Sequence, residues 1–294
     1  MGWFSWGKKE KKQEAPTKDD LWLQCASCKA MLFKEEWLKS WKVCTVCGFH
    51  DKLTAMERVD LLADPNSFYE FDRKLTFSDP LKFTDDKGSY ADKARQACEK
   101  TDMKEAVLTG RAKIGGREKS GDQKKIEGHR VVLAIMDFNF LGGSLGSGTG
   151  EKIFRATEYA RKNRMPLIIA SASGGARMHE GIVSLMQMAK TSAALSRLHA
   201  AGVPYFSLLT NPTTGGVSAS YAMLGDINIA EPGALVGFAG RRVIEQTIKQ
   251  KLPDEFQTAE YVRDHGFIDL VVPRKDLRET LHRLIEYSMN TKVD

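Results

Sequence analysis

The 294-residue sequence is poor in the features that most often announce a function. It has no apolar stretch approaching the ~18 consecutive residues of a spanning helix; Val131–Met136 and Leu167–Ala170, its most apolar runs, have only strand length. No membrane insertion is therefore expected. The six histidines (His50, His129, His179, His199, His265, His282) are scattered and never form His-Glu-x-x-His, which excludes that zinc-hydrolase pattern. Ser171 and Ser173 do not sit in Gly-x-Ser-x-Gly. Neither a phosphate loop ending in Gly-Lys-Ser/Thr nor a dinucleotide Gly-x-Gly-x-x-Gly with its downstream acid is found, so nucleotide phosphate is not the obvious ligand. Met1–Lys12 lacks an apolar secretory core, and the residues after Gly2 do not place Ser or Thr where an N-myristoylation motif needs it. A reducing, cytoplasmic setting is the resulting expectation.

What is present is an ordinary globular composition, 42% hydrophobic and 28% charged, with a net charge of +6. Much of that excess sits in residues 111–130. Arg111, Lys113, Arg117, Lys119, Lys124, Lys125 and Arg130 there face only Glu118, Asp122 and Glu127. The segment reads either as a solvated loop or as a surface attracting a polyanion or acidic partner.

Four of the five cysteines form Cys25-x2-Cys28-x15-Cys44-x2-Cys47. Each C-x2-C turn brings two thiolates to one point, and two such turns complete a tetrahedral shell, so this spacing predicts a zinc ribbon. All four ligands are protein thiolates, leaving no open position, so the zinc reads as structural. Cys98 reads as a passive thiol. Three segments with these boundaries follow: a flexible 1–20, the ribbon 21–50, and a main domain 51–294.

The main domain repeats one pattern three times: strand, diglycine turn, helix. Val131–Phe138 ends at Leu141-Gly142-Gly143-Ser144, before a helix over 151–163. Leu167–Ala170 ends at Ser173-Gly174-Gly175-Ala176-Arg177, before a helix over about 180–200 whose apolar face carries Ile182, Leu185, Met186 and Ala189. Tyr205–Leu209 ends at Thr213-Thr214-Gly215-Gly216, before a helix over about 217–224. Such alternation predicts an α/β fold with parallel strands. A glycine pair between strand and helix lets backbone N–H groups approach a ligand where the helix terminus favours negative charge, which suits an oxyanion. His179 near Ser173 lacks a third catalytic member and reads as structural, and Asp226 and Glu231 suit strand ends.

Four runs then carry a resemblance: Ser171–Met178, Ser184–Leu195, Pro212–Ser220 and Gly237–Gln246. With the ribbon, they resemble the β-subunit family of the bacterial-type acetyl-CoA carboxylase carboxyltransferase over about residues 20–290. The resemblance implies a crotonase-like superhelix of ββα units preceded by the ribbon. It implies carboxyl transfer from carboxybiotin, held on the biotin carboxyl carrier protein, to acetyl-CoA, giving malonyl-CoA for fatty-acid synthesis. A homologous α subunit (in an α2β2 tetramer) would complete the site, within a larger ATP-binding complex that includes biotin carboxylase. Gly215 and Gly216 would donate the N–H groups of one oxyanion hole. Gly174 and Gly175 would shape a CoA-binding turn, with Arg177 near an acyl-CoA phosphate and Gly142 and Gly143 on the CoA side. Two positions depart from the family pattern: residues 115–130 are longer and more basic, and Arg241 stands where Pro is common.

Other classes compete. A carboxylase or decarboxylase of different acyl specificity, or a crotonase-type hydratase or isomerase, would share the fold; the latter needs paired carboxylates. A zinc-ribbon nucleic-acid binder, as a primary or secondary property, would use Lys29, Lys34, Lys39, Lys42, Trp37 and Trp41.

Overall fold

The computed structural model describes residues 21–116 and 127–290. The N-terminal segment 1–20 and half of the basic stretch 111–130, residues 117–126, therefore lie outside the described residues. Strands β1 (Trp22–Gln24) and β2 (Met31–Phe33) pair antiparallel, and a short helix α1 (Lys34–Lys39) follows. Helix α2 (Ala55–Leu62) starts at a capping box in which Thr54 and Glu57 satisfy each other's backbone N–H groups. Next come β3 (Tyr69–Phe71), the small hairpin β4 (Thr84–Asp85) and β5 (Gly88–Ser89), and α3 (Tyr90–Thr101), capped by Ser89.

The main sheet is then built from β6 (Val107–Ile114), β7 (His129–Met136), β8 (Leu167–Ser173), β9 (Tyr205–Thr214), β10 (Ile227–Ala230), β11 (Val236–Gly237) and β12 (Leu270–Val271). Helix α4 (Ser147–Asn163) joins β7 to β8, and α5 (Ile182–Ala200) joins β8 to β9. Helices α6 (Arg241–Ile248), α7 (Ala259–Asp264) and α8 (Leu277–Asn290) complete the chain. The sheet runs β12-β10-β9-β8-β7-β6-β3, with β11 beside β9; β7 through β12 are parallel and β6 and β3 antiparallel.

Both faces of this sheet are covered, which explains the uninterrupted apolar character of β7 and β8. Side chains alternate across a strand, so Val132, Ala134 and Met136 join Ile153, Ala156, Leu195 and Leu198 on one face. Val131, Leu133 and Ile135 join Val59, Leu62, Leu277 and Ile285 on the other. No helix among the described residues is long and apolar enough to cross a membrane.

Two expectations from the sequence are corrected, and one helix presents its apolar face outward. Residues 217–224 form turns and one 3-10 turn, Tyr221–Met223, rather than a helix: Ser218 and Ser220 turn their hydroxyls onto the carbonyls of Gly215 and Gly216, competing with a helical ladder. Strand β9 runs on to Thr214, because β11 pairs with its far end. Helix α5 is inverted relative to its pattern. It buries Ser184, Gln187, Thr191, Ala194, Leu195 and Leu198, while Ile182, Leu185 and Met186 are exposed.

Candidate functional site: a thiolate cluster and stacked glycine turns

The N-terminal strands bring the four cysteines together. In each knuckle the chain reverses through a left-handed residue, Lys29 at φ 62° and Gly48 at φ 72°. The amides of Lys29 and Gly48 donate to the carbonyls of Cys25 and Cys44, closing the two turns. Cys25 and Cys47 sulfurs lie 3.8 Å apart, and those of Cys28 and Cys44 3.9 Å. Four sulfurs at ~2.3 Å from a tetrahedral zinc would be spaced about 3.8 Å. The cluster thus fits a four-thiolate metal ion, all four sulfurs lying within 4.8 Å of one another. A backbone N–H from Phe49 brings the Cys47 thiol down to about 7 against the opposing effect of burial, whereas at Cys28 a backbone N–H from Ala30 is outweighed by burial and the neighbouring sulfurs, which push it up to about 11.

The module is fastened to the sheet by a buried ion network. Glu231 follows β10 and is gripped by Arg58 from α2 at 2.8 Å and by Arg274 at 2.7 Å; all three side chains are at most 4% exposed. Arg274 also donates to the carbonyls of Trp41 and Asp51, and its backbone N–H points at His50 Nε2. Burial alone would raise the Glu231 carboxyl; the two guanidinium groups overcome it and hold the group at about 2. Glu231 is therefore an ionised anchor. Asp226 accepts from the Tyr205 backbone, so no acid–base pair forms. Of the ribbon residues that suggested nucleic-acid contact, Lys39 and Lys42 pair with Glu35 and Glu57, and Trp37 and Trp41 pack on buried residues. The basic–aromatic face reduces to Lys29 and Lys34.

The three diglycine turns stack at the C-terminal ends of β7, β8 and β9. Gly174 N–H donates to Gly142 O at 2.9 Å. A side chain on Gly143 would put its Cβ 1.8 Å from Ala172 O, and one on Gly215 would come within 3.0 Å of Gly175 Cα. The glycines are thus needed for backbone to lie directly on backbone. Gly215 N–H is spent, donating to the carbonyls of Gly237 and Phe238. This corrects the expectation that it serves an oxyanion. Among the described residues Gly216 N–H and Ala176 N–H have no protein acceptor. They lie close together: a Cβ on Gly216 would sit 3.6 Å from Ala176 N. Two unspent donors on adjacent turns are what an oxyanion requires.

Arg177 is also corrected. Its side chain has no solvent exposure, and it forms a two-pronged ion pair with Glu105, at 2.6 and 2.9 Å. It also donates to Ser144 and Tyr90, while Tyr90 and the Ser147 amide hold Glu180. Its donors are consumed inside the protein, and no CoA phosphate reaches them. The network instead fixes the loop after Gly175. His179 stacks on Tyr90, and Ser173 Oγ accepts from Gly175 N–H, so there is no nucleophile–base dyad. Glu105 and Tyr90 escaped sequence reasoning because no local spacing links residues 72 or more positions from Arg177; only Glu180, three residues on, is a local neighbour.

The surface around the stack is apolar and open. Met178 is 84% exposed, Ile182 67% and Phe238 69%. Two clefts of about 820 and 830 Å³ lie elsewhere, one lined by Asp64, Arg130 and Arg278 and the other by Met103, Leu108 and Lys152; no residue of the turns lines either.

Residues 50–276 match the carboxyl transferase domain family. Acetyl-coenzyme A carboxylase carboxyl transferase subunit beta of Clostridium kluyveri is 52% identical over 265 residues, 90% of this chain and 86% of the relative. The chain belongs to this carboxyl transferase β-subunit family. The same-named protein of Carboxydothermus hydrogenoformans is 51% identical over 277 residues, 94% of this chain and 92% of its own. Among solved structures, transcarboxylase 12S with methylmalonyl-coenzyme A bound superposes with a TM-score of 0.64 at 27% identity; the match takes in 85% of this chain and 42% of that one. A Pseudomonas malonate decarboxylase hetero-tetramer shares the fold (TM-score 0.61, 22% identity, 80% of this chain and 82% of the other). The parallel α/β architecture expected from the strand–turn–helix repeat, and the crotonase-like form of it that the resemblance implies, is that of the carboxyl transferase fold.

Proposed function

We propose that this carboxyltransferase β subunit supplies one half of the site that moves a carboxyl group from carboxybiotin, borne on the biotin carboxyl carrier protein, to acetyl-CoA, forming malonyl-CoA. The observation that carries this reading is the pair of unspent backbone donors, Gly216 and Ala176, at stacked turns on an open apolar surface. Carboxylation at the acetyl methyl carbon passes through an enolate whose negative charge sits on the thioester oxygen. Fixed amide dipoles stabilise that charge without reorganising, and an excluded-water setting strengthens them. Of the side chains near the turns, Ser173 is engaged, Arg177 and Glu105 are locked together, and Glu231 is an anchor, so none of these acts as a base. In the mechanism the family resemblance implies, carboxybiotin releases its carboxyl group as carbon dioxide, the biotin anion so formed takes the methyl proton, and the enolate attacks that carbon dioxide, while this chain's residues bind and orient the thioester.

The exposed apolar face of α5 supports a homologous α subunit as the covering partner, in an α2β2 assembly that works with biotin carboxylase. The four thiolates support one structural zinc per chain. Carboxyl transfer measured with purified chain, with and without the α subunit, over an acyl-CoA series tests the proposal. Malonyl-CoA should form only with both subunits and with acetyl-CoA preferred. Equal rates without the α subunit would refute the shared site, and preference for a longer acyl-CoA would reassign the substrate.

A further inference from the structure

Besides the four cysteines, one other group of potential metal ligands comes together among the described residues: His129, His282 and Glu286, whose ligand atoms all lie within 4.8 Å of one another. His129 opens β7, and His282 and Glu286 stand one turn apart on α8, so the group straddles the seam between the sheet and the C-terminal helix. The His282 ring is an anomaly. It is only 9% exposed, its Nδ1 is buried with no hydrogen-bond partner, and its Nε2 stands 3.7 Å from Glu286 Oε2, beyond hydrogen-bond reach. Gly115 makes room for it, since a Cβ there would fall 2.1 Å from Nδ1. With Nδ1 turned to Gly115, Nε2 is the nitrogen that faces Glu286 and is the one available as a ligand.

We propose that His129, His282 and Glu286 bind a divalent transition metal of the zinc class. Two imidazoles bound through nitrogen at ~2.0–2.1 Å in tetrahedral geometry have ring centroids about 5.2 Å apart; the two rings here are 5.4 Å apart, tilted by 36°. Ligand atoms on such a metal are separated by about 3.4 Å, close to the 3.7 Å between His282 and Glu286. The i, i+4 spacing puts both α8 ligands on one helix face. Arg130 and Arg164 line the adjoining cleft, so a hard cation held by charge alone gains little there. A borderline metal bound by imidazole nitrogen is the class these donors select. Its effect would be to clamp α8 to the β6–β7 hairpin, with the ribbon ion being a separate site.

The test is metal analysis of the full, tag-free chain after equilibration with micromolar Zn²⁺ and gel filtration. Wild type should hold two equivalents, and Cys28→Ser and His129→Gln about one each. Because His282 is buried, Glu286→Gln, at an exposed position, serves as the third variant and should also lose the second equivalent. Loading with Co²⁺ should give thiolate charge-transfer bands from the ribbon, abolished in Cys28→Ser, plus weaker bands that vanish only in His129→Gln and Glu286→Gln. A single equivalent in wild type, or two equivalents retained in both variants, would overturn the site.

Discussion

Replacing Arg177 separates a structural role from a substrate-binding one. In Arg177→Met, Glu105 loses both arms of its ion pair while remaining fully buried, and Tyr90, Glu180 and Ser144 lose a shared donor. Removing one member of a buried ion pair typically costs about 3–5 kcal/mol, mostly from the stranded partner. For a chain of this length, at about 2 °C per kcal/mol, the melting temperature should fall roughly 6–10 °C. Adding Glu105→Gln, which removes the stranded charge but keeps an acceptor for the Ala106 N–H, should recover part of that loss. The assay is thermal unfolding of wild type and the two variants beside acetyl-CoA saturation curves of the reconstituted enzyme. A melting temperature within 1–2 °C of wild type, with a raised KM for acetyl-CoA alone, would show that Arg177 reaches the substrate and that the buried network is misassigned.

Gly216→Ala places a methyl over the Ala176 N–H, meeting the flexible end of Met188 at 2.8 Å; turnover should drop by about 10²–10³-fold with little change in unfolding. Gly215→Ala, at φ 63° against backbone, should instead be read mainly in lowered stability. Glu231, held at about 2 in the folded chain, lies below its ordinary value of 4.5. Its stabilising contribution, on the order of 3 kcal/mol, is complete above about pH 4.5 and is lost as pH falls toward 2, so urea titrations of wild type should show a steeper acid limb than Glu231→Gln. Cys28→Ser should release the ribbon metal, detected by elemental analysis, and loosen residues 22–50 in hydrogen exchange, since so small a module has few core residues of its own.

The sequence displayed the parts of this fold that depend on local chemistry. Cys25, Cys28, Cys44 and Cys47 were legible because ligand spacing is itself the geometry, and β7 and β8 because burial on both faces leaves no polar positions. The glycine turns were legible as turns, but not which of their N–H groups are free. That depends on where β11 lies, and a two-residue strand, Val236–Gly237, has no period to detect. Arg177 misled because an arginine beside a ligand-like turn and an arginine inside an ion network have the same local sequence. The difference is made by Glu105, which reaches it only through the folded chain.

Helix α5 shows a more general limit: apolar periodicity identifies a face that avoids water, not what covers it. Its polar side, with Ser184, Gln187 and Thr191, is the one buried in this chain, where the hydroxyls return to helix carbonyls at Gly181 and Gln187. The exposed Met178, Ile182, Leu185 and Met186 follow directly from the turn that carries Ala176 N–H. A surface that covers this face thereby also closes water off from the donors. Ile182→Lys with Met186→Lys should therefore leave unfolding of the isolated chain within about 0.5 kcal/mol of wild type, because both side chains are already solvated. The same pair should abolish co-elution with the α subunit and, with it, malonyl-CoA formation. If the charged variant still pairs and turns over normally, this face is not the joint, and the donors at Gly216 and Ala176 must be enclosed from another direction.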